Sequence, residues 1–265
     1  MKLLTEVETT RIRGKDTGLF RHPVIREEPL ALIVNDEPYV TMMRLPGNEK
    51  ELVTGFLFTE GIIGSIDDVF YLKHCGSGTD EEQNRVDVKL APHCKLDSNR
   101  RIESRSACGL CSRTFINDLT EGLPSLEENK LSVSVPVLKR IEKELASHQP
   151  LFQQTGAVHG AALYDNSGSL SVIKEDIGRH NALDEVIGHA LIRGWNLSGK
   201  ILISTGRASF EMAYKTIRAG IPVMASVSAP TSMALEVSRR LGLTLVGFFR
   251  KEGFNIYANS HRITK

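Results

Sequence analysis

The sequence has almost no surplus of either charge: 33 Lys and Arg face 32 Asp and Glu over 265 residues, a formal net charge of +1. A general nucleic-acid binder needs a marked basic excess to displace counterions, so that class is excluded. Long apolar runs are missing too. A membrane helix needs about 20 such residues, whereas the longest candidates, such as LTLVGFF at 243–249, are strand-sized. The opening residues, MKLLTEVETTRIRGKD, reach charged side chains too soon to supply a secretory apolar region, and the chain is expected to be cytoplasmic. Cysteine is scarce: four, at 75, 94, 108 and 111. With no secretion signal expected, a disulfide framework is not the natural reading, which leaves reactive or metal-binding thiols. Three nucleotide or metal signatures are absent. There is no G-x-G-x-x-G and no G-x-x-x-x-G-K-[ST]. The zinc deaminase pair H-x-E and P-C-x-x-C fails because Ala182 stands where the glutamate should be and the second half has no cysteine.

What is present is ordinary globular composition, 41% hydrophobic and 25% charged. The first third reads as β-rich. Leu30–Val34 and Pro38–Met43 are two strands about a tight turn, and the spacing of Leu52, Phe56 and Leu57 predicts a helix from Asn48, a plausible cap, to Glu60. Val86–Leu90 is a short strand. After a break near 122–135, Pro136–Ala146 reads as a helix. The second half changes period: a helix over Arg179–Arg193, then strand 201–204, helix 209–219, strand 222–227, helix 231–241 and strand 243–248. That alternation implies parallel strands joined by right-handed crossovers. The fold class is therefore α/β (α+β overall), with a β-rich N-terminal region over 1–130 and an α/β domain over 131–265.

Two kinds of segment carry chemistry. Cys108-Gly-Leu-Cys111 lies in a stretch, from Lys95 to Arg113, in which Lys95, Arg100, Arg101, Arg105 and Arg113 outnumber Asp97 and Glu103, five against two. Neighbouring cations favour thiolate, and a helix predicted over Thr114–Leu119 would add its dipole. Such a pair can form a redox disulfide, share a metal, act as nucleophile and resolving thiol, or sit inert in a loop. Separately, Gly178-Arg-His180 and Gly206-Arg207 open helices of the second half, where backbone N–H groups and arginine bind anions. Ordinary capping explains each alone; two in one α/β layer point to a ligand crevice at the strand ends.

These segments closely resemble the FdhD family, formate dehydrogenase accessory sulfurtransferases. The likeness runs from about Glu28 to Tyr257 and includes Met43–Gly47, Glu51–Leu57, Cys108–Cys111, Glu175–Asp184, Gly206–Glu211, Ser228–Thr231 and Thr244–Phe248 with Arg250. Ala157, Ser112 and Glu185 depart from the family pattern. The resemblance implies a sulfur carrier that takes persulfide sulfur from a cysteine desulfurase. It would pass the sulfur to the molybdenum bis(molybdopterin guanine dinucleotide) cofactor destined for formate dehydrogenase. Cys108 is the implied persulfide carrier with Cys111 assisting. Phe248, Phe249, Arg250, Lys251, Glu252 and Gly253 are the implied cofactor-binding segment, joined by Gly178, His180, Gly206 and Arg207. The resemblance further implies a cytidine-deaminase-like C-terminal domain without intrinsic metal, guanine nucleotides as cofactor mimics, and a homodimer. A cofactor-binding chaperone without cysteine chemistry and a thiol–disulfide oxidoreductase are the competing readings.

Overall fold

The computed structural model describes residues 3–74, 79–96, 120, 122–251 and 253–265. Cys75, Cys108, Cys111, Glu252 and the helix expected over 114–119 lie outside these described residues. Strands β1 (Leu4–Arg13) and β2 (Asp16–Ile25) form a separate antiparallel hairpin. The β-rich reading of the first third did not resolve these two strands.

The next layer is a four-stranded sheet in the order β4-β3-β6-β5, made of β3 (Glu28–Val34), β4 (Glu37–Arg44), β5 (Val69–His74) and β6 (Arg85–Leu90). Leu30, Leu32 and Val34 alternate into its core, the period-2 pattern of a sheet with one buried face. The β3–β4 turn is tight because Asn35 and Asp36 both accept positive φ, 52° and 73°. Helix α1 (Glu49–Thr59) packs on the sheet through Leu52, Val53 and Phe56. Asn48 stands at its N-cap position without making the expected cap bond. Its side chain instead accepts from Lys174 Nζ at 2.5 Å and donates to Glu185 Oε2 at 3.3 Å. A short helix α2 (Asp80–Gln83) precedes β6.

The second half is built on a six-stranded mixed sheet. After the short strand β7 (Val133–Ser134) come α3 (Val135–Leu145), with Ser134 as its cap, and α4 (Pro150–Thr155). The order through the sheet is then β8 (His159–Tyr164), β9 (Leu170–Asp176), α5 (Arg179–Ile192), β10 (Ile201–Ser204), α6 (Phe210–Arg218), β11 (Val223–Ser226), α7 (Ser232–Leu241), β12 (Thr244–Arg250) and β13 (Gly253–Ala258). A short β14 (Ile263–Thr264) pairs with β7. The sheet order is β13-β12-β11-β10-β8-β9. β10, β11 and β12 are parallel, as the alternating pattern requires. β8 and β13 pair antiparallel with their neighbours, so the sheet is mixed.

The two layers meet where α1 crosses α5, and glycine sets the distance. A Cβ on Gly55 would fall 1.8 Å from the Asp184 carbonyl oxygen, and one on Gly188 would fall 1.9 Å from that of Glu51. Charged groups are buried beside this crossing. Lys215 Nζ lies 2.6 Å from Asp184 Oδ2 and 3.3 Å from Glu60 Oε1, and Thr59 Oγ1 donates to Asp184 at 2.8 Å. Among the described residues, Glu185 Oε1 has no hydrogen-bond partner. Burial first, then the charge of Asp176, hold the Glu185 carboxyl well above the usual carboxylate range, with Lys174 opposing.

A stability prediction follows from that shift. A carboxyl that keeps its proton in the folded state but loses it when unfolded makes folding less favourable as pH rises. The loss is about 1.4 kcal/mol for each pH unit between the unfolded and folded pKa values. Glu185→Gln removes the titration. The variant should therefore be more stable than wild type near neutral pH and lose the advantage toward acid. Urea unfolding at several pH values checks this, and identical pH slopes for the two proteins would contradict it.

Candidate anion site at the strand ends

The sheet topology brings several sequence segments to one edge. Because β8 and β9 pair antiparallel, β9 runs in the same direction as β10, β11 and β12. The C-terminal ends of all four therefore share an edge with the first residues of β8 and β13. Helices α5, α6 and α7 all begin there, so three helix N-termini with their positive dipole ends face the same side, that of α7 capped by Thr231 Oγ1 on Ala234 N.

The turns at this edge are laced together through their backbones. Val227 N donates to Ser204 O at 2.9 Å, Thr231 N to Ala208 O at 2.9 Å, and Phe248 N to Ser228 O at 3.1 Å. Gly160 and Thr205 exchange two bonds, Thr205 N to Gly160 O at 3.0 Å and Gly160 N to Thr205 Oγ1 at 2.9 Å. Ser226 Oγ donates to Gly206 O at 2.5 Å. Backbone bonds of this kind hold loops to a fixed shape where side chains alone would leave them free.

Gly206 has a steric reason to be glycine. A Cβ there would lie 2.8 Å from Cδ of Arg179, whose side chain crosses the turn. The α5 start is fixed separately by buried Asp176, which accepts from Gly178 N at 2.8 Å, Asn181 Nδ2 at 2.7 Å and Leu45 N at 2.7 Å. Asp176 thus ties the loop after β4 to the turn that carries Arg179 and His180.

The electrostatics of the edge are cationic. Burial, then the charge of Arg207, pull the Arg179 guanidinium below its ordinary pKa. Arg179 and His180 act in the same sense on His159 at the start of β8, after burial as the larger cause. One carboxylate offsets them. Glu211 Oε2 lies 2.8 Å from His180 Nε2, and His180 first among its neighbours holds that carboxyl below the usual range. Among the described residues, Arg179 Nε and Ser209 Oγ are buried with no hydrogen-bond partner. Buried donors left unpaired are costly, and an anion seated at the turn would satisfy them.

At the far end of the same edge a pocket of about 640 Å³ is lined by Phe248, Arg250, Lys251, Gly253, Phe254 and Asn255. Phe248 is an exposed aromatic held at a φ of +51°, and the Arg250 guanidinium sits 5.5 Å from its ring centroid. Arg250 Nε donates to Val227 O at 3.0 Å, which joins this pocket to the β11 turn.

Gly178, His180, Gly206 and Arg207 therefore share an edge with Phe248, Arg250, Lys251 and Gly253. Phe249, in the same segment, is 1% exposed and packs on Phe254. Glu252, Cys108 and Cys111 lie outside the described residues. Arg179 and Thr205 lie in turns that the sequence reading placed at the crevice, and Glu211 in a segment it matched to the family, but none was given a role of its own. The pairing of Thr205 with Gly160 needs the antiparallel β8, which no local pattern announced.

The comparisons with known proteins bear on the whole chain. Residues 25–264 match the model of the FdhD/NarQ family. A sulfur carrier protein FdhD of Streptomyces avermitilis is 38% identical over 263 residues, covering 95% of this chain and 93% of its own. One from Mycolicibacterium paratuberculosis is 40% identical over 250 residues, covering 91% of each. The crystal structure of a protein from Desulfotalea psychrophila, described as a formate dehydrogenase accessory protein, superposes with a TM-score of 0.80 at 28% identity, covering 99% of this chain and 100% of the other. Among the described residues, no helix is long and apolar enough to cross a membrane.

Proposed function

The chain belongs to the FdhD/NarQ family, and on that premise we propose that it is a sulfur carrier serving formate dehydrogenase maturation. Cys108 receives the sulfur. A thiolate at Cys108 attacks the outer sulfur of a persulfide on a cysteine desulfurase; the donor's S–S bond breaks, and the desulfurase cysteine leaves as thiolate. Cys108 then holds the persulfide, and the basic residues Lys95, Arg100, Arg101, Arg105 and Arg113 in its sequence neighbourhood favour the ionised thiol. Cys111 is the assisting thiol.

The acceptor is the molybdenum bis(molybdopterin guanine dinucleotide) cofactor, bound as substrate. The observation that carries this part is the edge of the six-stranded sheet. Three helix starts, the unpartnered Nε of Arg179 and the exposed Arg207 suit a diphosphate, and the Phe248–Arg250 pocket offers an aromatic face and a cation at the other end.

GDP, a fragment of that cofactor, tests the acceptor site. A charge-assisted bond lost at such a site costs about 1.5–3 kcal/mol, or about 10- to 150-fold in affinity. Arg179→Ala should fall toward the upper end because its Nε is buried, and exposed Arg207→Ala toward the lower. Calorimetry with GDP on both variants, and on Arg250→Ala, measures this while Cys108 loading stays unchanged. Wild-type affinity in all three would move the acceptor site elsewhere.

A further inference from the structure

Away from the strand-end edge, three side chains of the N-terminal layer present one ligand atom each to a common point. These are Asp68, His93 and Cys94, whose ligand atoms all lie within 4.8 Å of one another. We propose that they form a metal site of the kind that takes zinc, with the remaining coordination position open to water or an incoming ligand.

The donor set selects the metal class. One carboxylate, one imidazole and one thiol are the ligands zinc and its neighbours accept, whereas calcium and magnesium require oxygen throughout. The spacing is close to what a tetrahedral ion needs. Bonds of about 2.0–2.3 Å put adjacent ligand atoms about 3.3–3.8 Å apart. His93 Nε2 now lies 2.9 Å from Asp68 Oδ1 and has to open by only a few tenths of an ångström.

The frame behind the ligands is already built. Asp68 closes the 3₁₀ turn Ile66–Asp68. Its Oδ2 accepts from Gly64 N at 2.7 Å and Ser65 N at 3.1 Å, which fixes the carboxylate and leaves Oδ1 facing His93. The turn carrying the other two ligands is strapped to the same residue. Ala91 N donates to Asp68 O at 2.8 Å, and Cys94 N to Ala91 O at 3.0 Å. Outer-shell bonds of this sort are what orient ligands in metal proteins. Access is from one side: the His93 side chain is 72% exposed and that of Asp68 15%, while Cys94 lies against the apolar core under the four-stranded sheet.

A solvated Asp68–His93 ion pair accounts for two of these residues and leaves the thiol without a part. A divalent cation would give it one, binding as the thiol releases its proton. The sequence reading anticipated no metal, because Cys94 stands far from any second cysteine and its partner Asp68 comes from a different turn.

Cobalt(II) is the probe. The full chain with serine at positions 75, 108 and 111 retains Cys94 as its one thiol. Titration should give a thiolate-to-cobalt charge-transfer band that saturates at one equivalent and is displaced by zinc. Cys94→Ser in that background should abolish the band. His93→Ala, on a side chain that is 72% exposed, should weaken cobalt binding at least about tenfold, and Asp68→Asn likewise. No band at saturating cobalt, or a band with unchanged affinity in His93→Ala, would overturn the site.

Discussion

Gly55→Ala should destabilise the protein by about 3 kcal/mol or more, although alanine is the better helix former. The two effects have opposite signs and can be compared. In an exposed helix interior the exchange would gain about 1 kcal/mol from propensity. Here the new Cβ would fall 1.8 Å from the carbonyl oxygen of Asp184, well inside contact distance, and the clashing atom is backbone. A flexible side chain could swing aside; α5 cannot move without displacing Asp184 from Lys215 and Thr59. Overpacking typically costs about 1–3 kcal/mol, and a collision with main chain beside a buried ion pair belongs at or beyond that limit. Chemical denaturation of the purified variant measures it. A variant more stable than wild type by the propensity gain would show that α1 and α5 are not held as close as the glycines indicate.

The largest effect on activity is expected at Cys108. Cys108→Ser exchanges a thiol, whose thiolate is the nucleophile, for a hydroxyl that cannot carry the sulfur, so formate dehydrogenase maturation should fall by several orders of magnitude, as when a covalent nucleophile is removed. Cys75→Ser and Cys94→Ser should retain it. Complementation of a strain lacking the chain, read as formate dehydrogenase activity, distinguishes these outcomes. Full maturation with Cys108→Ser would favour a cofactor-binding chaperone that needs no thiol chemistry. Equal and complete loss at Cys108 and Cys111, together with reduction of protein disulfides, would favour an oxidoreductase.

Period and punctuation carried the second half of the fold. Strand 201–204, helix 209–219, strand 222–227 and helix 231–241 appear within a residue or two, because each strand is a short buried run and each helix has Ser or Thr at its N-cap position and stops within two residues of a glycine. What no local pattern could give was the pairing of antiparallel β8 and β13 onto that core, a product of contacts distant in sequence. The same limit applies to the site. Glycine next to arginine marked the turns at 178 and 206, yet their convergence depends on sheet order. The role of Gly206 as a floor beneath Arg179 depends on a side chain 27 positions away. Asn48 looked like a cap by its position, and Lys174 and Glu185, both remote in sequence, claim its side chain.

Sulfur loading tests the central claim most directly. The chain is incubated with a cysteine desulfurase and cysteine, and its intact mass is then measured. The expected result is a gain of one sulfur atom, removed by a thiol reductant, mapped to the peptide containing Cys108 and missing from Cys108→Ser. No gain in the wild-type chain, or a gain that survives Cys108→Ser and vanishes in Cys94→Ser, would contradict it.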